Sequence, residues 1–90
     1  MSFQIVWTAE ALANLEAIRG YIGQFAPLAA QRFSARLVST AENLATYPER
    51  GRPVGEAVRE MTIINPYIIR YAVTSEAVVI LRIRHGARQP

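Results

Sequence analysis

Apolar residues recur at the spacing of an amphipathic helix in the first quarter of the chain. The repeat consists of Leu12, Leu15, Ile18, Ile22 and Phe25. Three- and four-residue steps of this kind predict a helix, here over residues 9–25. Thr8 is a favoured N-cap residue, and Glu10 places a negative charge in the first turn, where the helix dipole favours it. Both support a helix start at this point.

A second helix is predicted directly after the first. Its apolar repeat consists of Ala30, Phe33, Leu37, Ala41 and Leu44. Pro27 suits the first position of a helix because its φ is already helical, and Pro48 ends the pattern. So short a connection predicts an antiparallel helix hairpin. We expect the aromatic residues Trp7, Phe25 and Phe33 to pack in the core.

The remaining chain has the character of β-structure. Runs rich in β-branched and aromatic residues occupy residues 3–7, 58–64, 67–74 and 77–84. The segment YPERGRPVGE, residues 47–56, carries two prolines and two glycines and predicts an exposed loop. Short connections make the last three strands an antiparallel meander. The predicted fold is α+β, with the order β-α-α-β-β-β and the helix hairpin on one face of a small, mainly antiparallel sheet.

Alternation along the last strand divides its side chains between the two faces of the sheet. Strict alternation places Val79, Leu81 and Ile83 on one face. It places Val78, Ile80, Arg82 and Arg84 on the other. We expect the helices to cover the first face, and Arg70 of the neighbouring strand to join the arginines on a partly open second face.

Composition narrows the class of protein. Ninety residues predict one domain, residues 1–90. The sequence has no cysteine, no leader-like N-terminus and no apolar run of about 18 residues, which predicts a cytoplasmic protein without a membrane partner. All ten basic residues are arginine and all seven acids are glutamate, for a net charge of +3. Arginine binds carboxylate and phosphate through paired donors, so this charge favours an anion-binding face.

The sequence gives little evidence for a metal-binding site or a nucleotide-binding site. With one histidine, no cysteine and no aspartate, few ligands are present for a metal site. Gly51 and Gly55 fit neither a P-loop nor a dinucleotide fingerprint. We therefore expect no metal and no cofactor.

Metal-independent RNA cleavage requires a proton acceptor, a proton donor and fixed cations on the phosphate. His85 with Glu56 or Glu60 would supply the first two, and Arg70 with Arg88 the third. The competing hypothesis is that His85, beside a glycine at a strand end, has a structural or binding role, and we favour it.

The loop, the run VRE, the segment NPYIIRYAV and the ending ILRIRHGARQP carry a family resemblance. Together with the element order, they resemble the RelE/ParE superfamily of toxins from bacterial type II toxin-antitoxin systems, and the ParE branch most closely. The resemblance spans essentially the whole chain. It implies a small toxin that inhibits DNA gyrase and is neutralised by a ParD-like antitoxin.

The RelE branch of the superfamily cleaves mRNA on the ribosome, and this chain matches its motif only in part. Ile68 stands where those nucleases carry an arginine three residues before Tyr71. Arg59 is the only basic residue on the preceding strand, where they often have lysines. Arg88 aligns with a catalytic-type arginine, and His85 with a histidine of some relatives. The resemblance therefore implies a non-enzymatic inhibitor, with a ribosome-dependent mRNA endoribonuclease using His85, Arg88 and Glu60 as the alternative.

The arginines supply candidates for two binding surfaces. Candidates for the target surface are Arg59, Arg70, Arg82, Arg84, His85 and Arg88. Candidates for the antitoxin surface are Arg32, Arg36, Arg50 and Arg52. A solvated helix face is the competing interpretation of the pair Arg32 and Arg36. The high sequence pI alone would also fit a nucleic-acid-binding module without toxicity.

Overall fold

The computed structural model describes residues 3–86. Its elements are β1 (Gln4–Trp7), α1 (Ala9–Gly23), α2 (Pro27–Asn43), β2 (Arg52–Gly55), β3 (Val58–Ile64), β4 (Tyr67–Val73) and β5 (Ala77–His85). The five strands form one sheet in the order β1-β5-β4-β3-β2. β1 runs parallel to β5, and every other neighbouring pair is antiparallel. The predicted α+β fold with a mainly antiparallel sheet is confirmed.

The helix hairpin covers one face of this sheet. α1 packs on β5, and α2 lies over β3. All five residues of the second apolar repeat are buried, as predicted. They meet the buried side chains of β4 and β5 in one core, whose largest fully buried members are Tyr71, Leu37, Leu44, Ile69 and Ile80. No helix within residues 3–86 is both long and apolar enough to cross a membrane.

Local signals set the helix boundaries. The Thr8 hydroxyl accepts a hydrogen bond from the Ala11 amide at 3.1 Å, which caps α1. The same hydroxyl donates to the Ile80 carbonyl at 2.8 Å and so ties the cap to β5. α2 begins at Pro27, as predicted. α1 ends at Gly23, two residues before its predicted end.

The first apolar repeat is only partly buried. Leu15, Ile18 and Ile22 pack against the core, but Leu12 is 49% exposed and Phe25 is 74% exposed. The prediction that Phe25 packs in the core is wrong, because the chain leaves the helix before this position and turns its ring outward. Trp7 and Phe33 do pack in or against the core.

A bulge in β5 changes the predicted sorting of side chains. Arg82 pairs with Arg70, but the next pair joins Ile80 to Tyr71, so Leu81 is an extra residue in the strand. Val78 and Ile80 are consequently buried under the helices together with Ile83. The prediction that placed Val78 and Ile80 on the open face, and Val79 under the helices, is therefore wrong. The register does confirm that Arg70 shares a face with Arg82.

The predicted loop contains one strand. β2, with the sequence RPVG, pairs with β3 at the edge of the sheet, and all four of its residues are exposed. The sequence order is therefore β-α-α-β-β-β-β, with one strand more than predicted. The added strand matters for the open face because it brings Arg52 opposite Glu60.

Candidate functional site

Glu60 lies at the centre of the open face of the sheet. It is the only charged residue between positions 3 and 86 that is buried, with 3% of its surface exposed. In the sheet register, Glu60 is opposite Arg70 on β4 and opposite Arg52 on β2. Arg84 is on the same face, since it alternates with the buried Ile83 on β5. Three strands therefore direct an arginine towards one carboxylate.

The three arginines hold this carboxylate unequally. Arg70 donates from Nε to Glu60 Oε2 at 2.8 Å, and its Nη2 forms an ion pair with the same oxygen at 2.7 Å. Arg84 Nη2 lies 3.4 Å from both carboxylate oxygens. Arg52 Nη2 is 3.6 Å from Oε1, and its side chain is 73% exposed. We refer to Glu60, Arg52, Arg70 and Arg84 as the Glu60 cluster.

The arginines decide the protonation state of Glu60. Burial by itself raises the pKa of the carboxyl group. The hydrogen bond and charge of Arg70, together with the charge of Arg84, outweigh burial and hold the pKa below its ordinary value. At neutral pH, Glu60 is therefore an ionised acceptor and has no proton to donate.

An open depression of about 310 Å³ lies beside the cluster. It is lined by Arg50, Arg52, Glu60, Met61, Thr62 and Ile68. Ile68 and Thr62 are opposite one another on β4 and β3, and Ile68 is opposite Arg84. The depression thus combines two arginines and the carboxylate of Glu60 with a hydroxyl residue and two apolar residues.

The loop that carries Arg50 and Arg52 is fastened from the other side of the sheet. The buried Tyr71 hydroxyl donates to the Pro48 carbonyl at 2.8 Å and accepts from the Gly51 amide at 2.8 Å. Arg59 Nη1 donates to the carbonyl of Gly51 at 2.7 Å and to that of Glu49 at 3.2 Å. These four bonds fix the backbone immediately before Arg52.

The other predicted target-binding residues do not join the cluster. Arg59 pairs with Tyr71 and fastens the loop from the helix side of the sheet. Arg82 turns towards α1, where its Nε lies 3.9 Å from a carboxylate oxygen of Glu10. Arg88 lies outside the described residues.

His85 is on the opposite face of the sheet from Glu60. It pairs with Tyr67, and the two rings meet edge to face at 5.3 Å between centroids. Tyr67 in turn meets Phe33 of α2 at 5.1 Å, so these rings lie on the helix-covered side. The structure therefore does not bring Glu60 and His85 together as the proton-transferring pair of the nuclease hypothesis. Glu56, the other acid considered for that pair, lies exposed after β2.

The four predicted antitoxin-binding arginines divide into two groups. Arg32 and Arg36 lie on α2 and line a depression of about 330 Å³ together with Ile22, Phe33 and Tyr67. Arg50 and Arg52 lie instead at the Glu60 cluster, on the opposite face of the sheet.

Comparison with known proteins agrees with this architecture. A family model described as "ParE toxin of type II toxin-antitoxin system, parDE" matches residues 5–90. The chain belongs to the ParE toxin family. Among curated proteins, it is 58% identical over 85 residues to Toxin RelE2 of Caulobacter vibrioides, covering 94% of this chain and 97% of that protein. It is 30% identical over 92 residues to Toxin RelE1 of the same organism, covering 99% of each chain.

Solved structures place the ParE-family chain among toxin-antitoxin proteins. It superposes with a TM-score of 0.82 on a chain of the chromosomal ParDE toxin-antitoxin system from P. aeruginosa, at 26% identity, covering 93% of this chain and 96% of that one. A chain of the RelBE2 toxin-antitoxin complex from Mycobacterium tuberculosis shares the fold at a TM-score of 0.69 and 23% identity, covering 94% of this chain and 99% of that one. The RelE/ParE resemblance is thereby confirmed, and the protein is a toxin of a type II toxin-antitoxin system.

The toxin also exposes apolar residues around its helix hairpin. Tyr21, Phe25 and Leu28 are 52%, 74% and 64% exposed, and the rings of Tyr21 and Phe25 meet edge to face at 5.5 Å. Single exposed apolar residues are ordinary, but several large ones near one helix end are typical of a surface that a partner covers.

Sequence reasoning missed two parts of the site. The position of Arg52 opposite Glu60 was not predicted, because the sequence did not predict the strand β2 that places it there. Sequence reasoning also gave no role to Tyr71 beyond alignment with the family motif. Of the two, only Tyr71 had an available signal, since a buried tyrosine hydroxyl requires a hydrogen-bond partner and an adjoining loop supplies backbone groups.

Proposed function

We propose that this toxin acts in the cytoplasm by binding and inhibiting DNA gyrase, and that a ParD-like antitoxin neutralises it. The main support is the match of residues 5–90 to the parDE toxin family, together with the TM-score of 0.82 to a ParDE chain. The open sheet face would contact the target through Arg70 and Arg84, with the C-terminal Arg88 nearby in sequence.

The geometry of the titratable groups favours a binder over a nuclease. General acid-base catalysis requires both groups within reach of one substrate. Glu60 is ionised within the Glu60 cluster, whereas His85 contacts Tyr67 on the helix-covered side of the sheet. A binding role uses the same arginines without a proton-transferring pair.

A ribosome-dependent mRNA endoribonuclease is the second candidate function. The name of the 58% identical relative, Toxin RelE2, favours it. Under this alternative, His85 and Arg88 would act on the RNA, and Glu60 would have to act through Arg70 and Arg84 because it is ionised and held by them.

A supercoiling assay with purified gyrase tests the main proposal. We expect the toxin to inhibit supercoiling, and Arg84→Gln to weaken inhibition by about tenfold because it removes a charge-assisted contact. Arg19→Gln is the matched control, since Arg19 pairs with Glu16 on the exposed side of α1. Unimpaired supercoiling at micromolar toxin would refute gyrase as the target.

A translation extract tests the alternative. Cleavage of ribosome-bound mRNA by the toxin, abolished in His85→Gln, would establish nuclease activity. If the parent toxin leaves mRNA intact, the alternative is excluded, whatever the gyrase assay shows.

We also propose that the antitoxin covers the helix hairpin and the depression beside Arg32 and Arg36. Apolar antitoxin side chains would cover Phe25 and Leu28, and acidic residues would pair with the two arginines. Arg36→Glu should weaken binding of the antitoxin encoded beside the toxin by about tenfold or more, because it replaces attraction by repulsion. Arg50→Glu is the control from the other group. We expect Arg50→Glu to bind the antitoxin like the parent protein. If Arg50→Glu weakens binding and Arg36→Glu does not, the antitoxin binds the sheet face instead.

A further inference from the structure

The Glu60 cluster carries more positive charge than it neutralises internally. Arg52, Arg70 and Arg84 surround one carboxylate, so their charges sum to +2 with Glu60 ionised. Arg50 adds another positive charge on the wall of the adjoining depression. Arg50, Arg52 and Glu60 line this depression, and Arg70 and Arg84 lie beside it through their contacts with Glu60. An excess of positive charge at a concave surface attracts an anion.

Two of the arginines retain hydrogen-bonding capacity for such an anion. Charge-assisted bonds between guanidinium and carboxylate are about 2.7–2.9 Å long when well formed, and Arg70 meets this criterion. Arg84 reaches Glu60 only through Nη2, at 3.4 Å, and Arg52 only at 3.6 Å. Because a guanidinium has five N–H donors, Arg84 and Arg52 can bind a second anion while Arg70 continues to hold Glu60.

The size and lining of the depression indicate one small anionic group on a protein chain. The three guanidinium groups of the Glu60 cluster converge on one carboxylate, so their positive charge is concentrated at one point rather than spaced along a line. The lining has no aromatic side chain on which a base could stack, but it has the aliphatic Ile68 and the hydroxyl of Thr62. These features fit an acidic side chain next to an apolar one.

We propose that the Glu60 cluster binds an aspartate or glutamate side chain presented by an acidic segment of the protein target. The incoming carboxylate accepts hydrogen bonds from Arg84 and Arg52, and a neighbouring apolar side chain contacts Ile68. Glu60 is a positioning residue, since it orders Arg70 and Arg84 before the partner arrives. The Tyr71 and Arg59 bonds to residues 48–51 hold the backbone of Arg52 within reach. This inference rests on the proposed function only in that the target is a protein.

NMR spectra of the arginine Nε–Hε groups of the full-length toxin test the proposal directly. The probe is a short, end-blocked peptide of alternating leucine and glutamate. We expect saturable shifts of the Arg52 and Arg84 signals, and about tenfold weaker binding in Arg52→Gln, because one charge-assisted contact is lost. Arg19→Gln should bind like the parent protein. The spectra report folding of each variant, and the exposed Arg52 can be replaced without loss of packing.

Three results would overturn the inference. They are the absence of saturable shifts, equal shifts with the same peptide carrying glutamine in place of glutamate, and unchanged affinity in Arg52→Gln. Tighter binding of oligothymidylate than of the acidic peptide at equal charge would mean that the site binds nucleic acid and not a protein segment. Peptide binding without gyrase inhibition would support the binding site and reject gyrase as the target. Gyrase inhibition without peptide binding would support gyrase as the target and reject the binding site.

Discussion

Glu60 shows how a single residue determines the character of the open sheet face. A buried carboxylate is tolerated only when it is paired and hydrogen-bonded, and Arg70 and Arg84 provide both. The sequence displays each of these residues, but their grouping depends on the register of β3, β4 and β5. Strand alternation did predict that Arg70 and Arg84 share the open face, but the position of Glu60 opposite Arg70 and Arg52 was not predicted, because it depends on how β3 pairs with β4 and with β2.

Replacing Glu60 should be costly for stability. Glu60→Ala leaves the guanidinium groups of Arg70 and Arg84 without their acceptor, and we expect a loss of about 2–3 kcal/mol in the free energy of unfolding. Urea denaturation measures this loss. Glu16→Ala is the matched control, since Glu16 forms a comparably short ion pair of 2.8 Å that is exposed, and it should change stability by less than about 1 kcal/mol. Equal effects of both changes would mean that burial of Glu60 is energetically unimportant.

The lowered pKa of Glu60 predicts a pH dependence of stability. Because the pKa is lower in the folded than in the unfolded protein, the unfolded state binds more protons in the interval between the two values. The stabilising contribution is therefore complete above the unfolded pKa of about 4.3 and decreases as the pH falls through the folded value. Urea midpoints measured from neutral to acid pH should fall less steeply in Glu60→Gln than in the parent protein. Parallel curves would contradict the assignment.

At the scale of elements, the fastening of the loop to the sheet governs where Arg52 lies. A Cβ atom on Gly51 would lie 2.7 Å from the Tyr71 hydroxyl and 2.8 Å from the Glu60 carbonyl. The Tyr71 hydroxyl is held by two hydrogen bonds, and Glu60 belongs to the paired sheet. Neither neighbour can therefore move away without a loss of stability. Glycine at position 51 is thus required by close approach of the loop to the sheet.

Two glycine-to-alanine changes should have opposite effects. Gly51→Ala must displace the loop from Tyr71, and we expect destabilisation by about 1–3 kcal/mol. Gly20→Ala lies in the last turn of α1 with nothing within 4 Å of the added atom, so it should stabilise by about 0.4–1 kcal/mol through reduced chain entropy of the unfolded state. Thermal denaturation of the two variants checks the pair. A neutral Gly51→Ala would show that the loop is not tightly held.

The sequence predicted those elements whose signals are local. Helix α2 begins at Pro27 and buries its complete apolar repeat, because capping and periodicity act within a few residues. The sequence did not predict β2, because Arg52–Gly55 has the composition of a loop and becomes a strand only by pairing with β3. The exposure of Phe25 was missed for a related reason, since periodicity does not show where a helix ends. Non-local strand pairing decided the differences within the sheet.

At the scale of the whole molecule, the toxin has two unlike faces. The helix hairpin exposes Tyr21, Phe25 and Leu28, and the opposite face of the sheet carries the Glu60 cluster. Two surfaces of different chemistry on opposite sides suit two partners, in line with the proposed separation of antitoxin and target.

The two phenylalanines at the hairpin should separate binding from folding. Phe25→Ala removes a ring that is 74% exposed, and the free energy of unfolding should change by less than about 0.5 kcal/mol. Antitoxin affinity should nevertheless fall, as measured by calorimetry. Phe33→Ala removes a buried ring, 5% exposed, and should cost about 3–5 kcal/mol of stability. A large loss of stability in Phe25→Ala would place this ring in the core after all.

The pairing of β1 with β5 has a consequence for the order of folding. The Thr8 hydroxyl bonds to a carbonyl 72 positions later in the chain, whereas the helix hairpin and the β3–β4–β5 meander are made of neighbours in sequence. Closing the longer loop costs more chain entropy, so β1 should join the sheet after the transition state. Ile5→Val trims a β1 side chain that packs against the core and leaves the Thr8 cap of α1 intact. It should then accelerate unfolding in stopped-flow experiments and leave the folding rate almost unchanged. The edge of the sheet formed by β1 would be the last part to assemble and the first to open.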